Sequence, residues 1–259
     1  MKATKLIAVA TLAALSLSTV GGVVSHAAGA EYESNGAVEF IPNTDPTDPV
    51  DPTDPDPNNP VEPIDPTDPT GPNPGTAGPL SIDYASSLDF GLNKISNLDE
   101  VYYARAQQFS DGRAATGNYV QVTDKRGNNE GWTLKVKQNG QFTAASTLND
   151  TLTGSAVSLI DAAVDSKSTA VFPTAAATID LDPAGAESLV MSAKDGEGNG
   201  TFVDVWGDVE TVKETDRNGV EVDAEVNKAI TLSVPGSTPK DAVKYSTLLT
   251  WSLSDVPGN

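Results

Sequence analysis

The segment Gly131-Trp132-Thr133-Leu134-Lys135-Val136-Lys137-Gln138 decides the fold class. Trp132, Leu134 and Val136 fall on one side of an extended chain, and Thr133, Lys135 and Lys137 on the other, because successive side chains of a strand alternate. A second segment near the C-terminus, Leu249-Thr250-Trp251-Ser252-Leu253-Ser254, repeats the pattern. There Leu249, Trp251 and Leu253 share the apolar side. Each Trp-x-Leu triplet therefore sets a large aromatic and a leucine on one face of a strand.

The same period-two reading extends outward. Short apolar or alternating runs lie at 81–84, 88–90, 101–107, 119–123, 152–160, 201–206, 229–234 and 245–253, several of them separated by turn pairs such as Asp111-Gly112, Asn139-Gly140 and Asn218-Gly219. No strong helical period competes with it. The expected fold is all-β: an antiparallel β-sandwich or barrel-like domain over residues 80–259, with a long Pro/Asp-rich loop near its N-terminus. The Ala-rich stretch 161–177 reads as either a helical turn or a loop.

Upstream, Ser34-Asn35-Gly36-Ala37-Val38-Glu39-Phe40 alternates briefly, so residues 28–41 are expected to add a strand to the domain. Between it and the domain, residues 42–79 carry proline at about every third position, with acids and no base. Proline fixes φ, and like-charged aspartates repel. The expectation is a disordered, polyproline-like spacer or loop reaching at most about 120 Å at ~3.1 Å per residue. A Pro-x-x-Pro ligand is the alternative reading.

Residues 1–27 pair Lys2 and Lys5 with an apolar run and end in Ser25-His26-Ala27, the pattern of a secretory signal peptide cut after Ala27. Ala28-Gly29-Ala30 is a second acceptable site, and an uncleaved anchor is the alternative. The expected protein is extracellular, with no membrane insertion after cleavage. It has no cysteine, and its only histidine is His26. Disulfides, thiolate metal sites and Ser-His-Asp chemistry are thereby excluded from the mature chain. A net charge of −20 argues against nucleic acid.

Asp195-Gly196-Glu197-Gly198-Asn199-Gly200 resembles the opening of an EF-hand loop. Its twelfth position is Trp206 where a glutamate should stand, so it is read as a glycine loop and no metal or cofactor is expected. No phosphate loop or nucleophile elbow is present, and a non-catalytic protein is expected.

The paired triplets resemble the WxL domain of Gram-positive cell-surface proteins. The likeness includes Gly36-x-Val38-x-Phe40, the Pro/Asp-rich stretch, Leu80-Ser81-Ile82-Asp83-Tyr84 with Leu88-Asp89-Phe90-Gly91, and Phe202-x-x-x-Trp206-Gly207. It covers about residues 31–259. The resemblance implies non-covalent attachment to the cell wall with peptidoglycan as ligand, and a WxL-interacting protein and other WxL proteins as partners. The sequence up to Asn259 carries no sortase signal, which agrees with that expectation. A structural subunit that binds chiefly the WxL-interacting protein is the alternative, and adhesion to host matrix is known in the family.

Trp132, Leu134, Trp251 and Leu253 are thus the motif residues. Either they form a binding platform, or they are core and the motif only defines the fold; large aromatics on an apolar strand face are usually core. In the latter case the opposite, polar faces are the place to look, with Lys135 and Lys137 as candidate contacts.

Overall fold

The computed structural model describes residues 31–258. The signal-peptide reading of residues 1–27 lies outside them. The described residues contain no helix and thirteen strands: β1 (Leu80–Ala85), β2 (Glu100–Arg105), β3 (Asn118–Asp124), β4 (Trp132–Gln138), β5 (Ala156–Ile160), β6 (Ala162–Asp165), β7 (Thr174–Ala175), β8 (Thr178–Asp180), β9 (Ser188–Ala193), β10 (Gly200–Trp206), β11 (Val209–Thr215), β12 (Glu221–Val234) and β13 (Leu249–Ser254). All pairings between them are antiparallel.

The strands form three sheets, in the orders β1-β3-β10-β6, β11-β12-β5-β8 with β2 also on β12, and β13-β4-β9-β7. Neighbouring sheets meet where β6 lies beside β7, β8 beside β9, and β10 beside β12. The three sheets thus surround one core. Ile82, Val120 and Trp206 come from the first sheet, Leu159, Ile230 and Leu232 from the second, and Trp132, Leu134 and Met191 from the third. The all-β architecture follows from the alternation. Along β4 every second residue is buried, Trp132, Leu134, Val136 and Gln138.

Three strands lay outside the runs and the Ala-rich stretch read from the sequence, the three-residue β8 among them. β9 is a short apolar run, Leu189-Val190-Met191, without alternation. β11 is mostly polar and pairs with the first half of β12, residues 221–227. The Ala-rich stretch 161–177 holds the short strands β6 and β7 in place of a helical turn, and Leu88–Phe90 forms no strand.

The Pro/Asp-rich segment corrects the expectation of a solvated spacer. Much of residues 48–66 lies against the outer face of the first sheet. Val50 and Val61 are buried with Tyr84, Phe109, Tyr119 and Val203 in a second, smaller core. Val50 N–H donates to Gln121 Oε1 at 2.7 Å, and Gln121 Nε2 donates to the Asp48 carbonyl at 3.0 Å and to Asp83 Oδ2 at 2.9 Å. Ile64 N–H donates to the Gln108 carbonyl, and Ser110 N–H to that of Glu62. The repeat also curls. In each of three Asp-Pro-Thr units the aspartate accepts from the threonine amide two residues on, at 2.9 Å for Asp51–Thr53, 2.7 Å for Asp65–Thr67 and 2.8 Å for Asp68–Thr70. These Asx turns replace the extended geometry that proline spacing alone suggests.

Residues 31–41 form no strand, and Val38 and Phe40 are 78% and 87% exposed. Four alternating residues define a face, but alternation alone does not supply the partner whose backbone bonds make a strand.

Candidate functional site

The two Trp-x-Leu segments are adjacent strands. β13 pairs with β4 so that Trp251 lies opposite Val136, Leu253 opposite Leu134 and Ser252 opposite Lys135. Residues more than a hundred positions apart in sequence thus share one two-strand unit whose two faces differ in chemistry.

The inner face is core. Trp132 and Leu134 are fully buried, and Trp251 and Leu253 are half-buried against the same cluster. The Trp132 indole N–H donates to the Gly198 carbonyl at 3.0 Å, which satisfies its one polar atom in an apolar site. This explains the glycine loop at 195–200. Gly198 has φ +73, and a Cβ there would lie 2.6 Å from the Trp132 indole nitrogen. The loop is a seat for the indole. Gly196 N–H donates to the Asn129 carbonyl, and Asn199 Nδ2 to Asn129 Oδ1. No group of three acidic or histidine side chains fit to hold a metal occurs among the described residues.

Beside Trp251 lies a third tryptophan, Trp206, which belongs to the family likeness but is not among the candidate site residues. Trp206 on β10 is buried, and its ring centroid is 6.2 Å from that of Trp251. Its indole N–H has no partner among the described residues, and neither has either carboxyl oxygen of Asp204, two residues earlier on the same inward face. Asp204 is 0% exposed, and burial pushes its carboxyl up to about 8. It enters the core neutral over most of the pH range. A charged carboxylate without a partner could not be accommodated there. The signal was legible: Phe202, Asp204 and Trp206 alternate with Val203 and Val205, so the acid shares the aromatic face.

The outer face is polar. Thr133, Lys135 and Lys137 of β4 lie opposite Ser254, Ser252 and Thr250 of β13, with Leu189 of β9 exposed next to Lys135. Lys135 and Lys137, the predicted contacts, are therefore brought together here, each half-exposed. Lys135 Nζ lies 3.5 Å from Glu187, an exposed ion pair of small worth. Lys137 has no ion pair among the described residues. Asn139 Nδ2 donates to Thr250 Oγ1 at 2.9 Å. At the opposite end, the chain after β13 folds over the face: Thr133 Oγ1 donates to the Val256 carbonyl, and Gly258 N–H to that of Ala193, both at 2.8 Å. The open part is thus the Lys135–Lys137 end.

Hydroxyls and ammonium groups there stand in two rows about 4.8 Å apart, with ~6.8 Å between alternate residues of a strand. That is an array of hydrogen-bond donors and acceptors for a ligand rich in hydroxyls and amides. No tryptophan takes part in it.

The chain matches the family described as WxL domain, surface cell wall-binding, over residues 27–257. No curated protein and no solved structure matches it. The match spans both Trp-x-Leu strands, the docked proline segment and all three sheets, so the chain belongs to the WxL family of cell-wall-binding surface proteins and resides outside the cell, on the wall.

Proposed function

We propose that this protein is exported by its leader, cut after Ala27, and held non-covalently on the wall by binding peptidoglycan with the outer face of β4 and β13. The observation that carries the reading is the face itself. Lys135, Lys137, Thr250 and Ser252 form a contiguous polar surface, while both motif tryptophans are turned to the core. Glycan strands and their peptide stems offer the hydroxyls, amides and carboxylates that such a surface pairs with. The role is binding, without catalysis.

A second reading is favoured by the position of β13 at the edge of its sheet. An open edge can accept a strand from another protein, so a WxL-interacting protein could dock there and hold this chain as a structural subunit. Sedimentation with purified peptidoglycan, with and without the WxL-interacting protein, separates the two. Binding to bare peptidoglycan that Lys137→Glu weakens supports the first. Binding seen only with the partner present replaces it by the second.

A further inference from the structure

β12 is longer than the strands beside it. On one edge, β11 pairs with residues 221–227 and β5 with residues 230–233. On the other edge, β2 pairs with Val226 and Asn227 and, past a bulge, with residues 231–234. β2 then leaves the sheet. Its departure is marked by Ala106 N–H, which donates to the Glu225 carbonyl at 3.1 Å. By the period of two, the N–H and C=O of Asp223 point to the same side as those of Glu225. No strand among the described residues pairs with that edge before Glu225.

The gap is a groove of about 660 Å³. Ile64 and Pro66 of the docked proline segment line it together with Ala106, just past β2, and Val222 and Ala224 of β12. The rim is acidic, with Asp223 and Glu225 lining it and Glu221 next along the strand. The two bases beside it are already engaged: Arg105 with Glu214 at 2.9 and 2.5 Å, and Lys213 with Asp223 at 2.5 Å. Glu221 and Glu225 have no cation partner among the described residues.

We propose that this groove receives an extended, cationic segment of a partner protein, which adds as a strand to the open edge of β12 in the place that β2 vacates. Backbone bonds to the Asp223 edge supply the register. Alternate apolar side chains of the segment reach Val222, Ala224 and Ile64, and lysines or arginines meet Glu221 and Glu225, the acids that no cation already holds among the described residues. Charge selects this occupant over the chain itself. The N-terminal segment carries Glu31, Glu33 and Glu39, and a second copy brings another −20. The proposal does not rest on the wall-binding reading, because β12 and the Trp-x-Leu strands belong to different sheets.

The test uses the full mature chain and a capped peptide, Lys-Val-Lys-Val-Lys-Val, with its glutamate counterpart and an N-methylated version as controls. Anisotropy should show binding of the cationic peptide and at least tenfold weaker binding of both controls. Hydrogen exchange should show the Asp223 amide protected at least tenfold on binding. Asp223→Pro removes that donor and spares the backbone bonds to β11, losing on that side only the exposed Lys213–Asp223 ion pair, which is worth little; it should lose tenfold in affinity at an unchanged melting temperature. If that variant unfolds, the N-methylated peptide decides the same point. Absence of binding below about 1 mM, or equal binding of either control peptide, overturns the proposal. So does an Asp223 amide already protected without peptide, whether that protection is lost on deleting residues 31–41 or tracks dimer formation.

Discussion

The Trp251 ring lies against Trp206, with centroids 6.2 Å apart and planes tilted by 39°. The contact joins the C-terminal motif strand to the first sheet, whereas Trp132 ties the other motif strand to the 195–200 loop through Gly198. Trp132→Ala should therefore destabilise more than Trp251→Ala: about 4 kcal/mol for the fully buried ring against ~2 for the half-buried one. Chemical denaturation measures both. A Trp251→Ala protein with unchanged stability but lost wall binding would make that ring a contact.

Asp204 makes stability depend on pH. Its folded-state value of about 8 lies above the ordinary carboxylate value near 3.8 that it regains on unfolding. The sign follows from linkage: the group favours the folded state fully below about 4, and this contribution is lost as pH rises from there to 8. Asp204→Asn keeps the shape and cannot ionise. Calorimetry should find it more stable than the natural protein at pH 8, by an amount on the order of a few kcal/mol, with the advantage shrinking towards pH 4. An equal difference at both values would contradict the assignment.

Val50 anchors the proline segment in the small outer core. Val50→Asp puts a charge into this apolar cluster, where Arg113, the base stacked on Phe109, is already paired with Asp51 and Asp111; that is unfavourable by several kcal/mol if the segment stays down. The segment should lift off instead. Limited proteolysis should then cut within residues 42–79 while the three-sheet core stays intact. In the natural chain the same bonds should resist.

On the face proposed to bind the wall the two lysines should differ. Lys135 already shares Glu187, so Lys137→Glu should weaken sedimentation with peptidoglycan more than Lys135→Glu, with little change in melting temperature. The chain as a whole carries −20, so added salt should strengthen retention on an anionic wall by screening that repulsion. Retention that falls with salt would mean that the local lysines dominate.

Much of the fold was open to local reading because alternation is a local property. Trp132-Thr133-Leu134-Lys135 states which side chains share a face whatever the partner strand. The candidate polar face was legible for the same reason. The docking of the proline segment was not, because it depends on Gln121 and Asp83, which lie far from Val50 in sequence. Val50, Val61 and Ile64 were its local trace, three aliphatic residues among prolines and acids. Strand β11 left no pattern at all, since its polar residues are ordered by β12 and by the Arg105–Glu214 pair.

By itself, then, the sequence determined an all-β chain, its family and the side on which each motif residue stands, because residue spacing and backbone geometry settle these without neighbours. Only the tertiary structure decided that the two motifs pair with Leu253 opposite Leu134 and, among the described residues, that Asp204 is enclosed without a partner and that β12 keeps an open edge beside the proline segment. Pairing, desolvation and an unfilled edge are relations between distant parts of the chain, and they exist only once those parts have met.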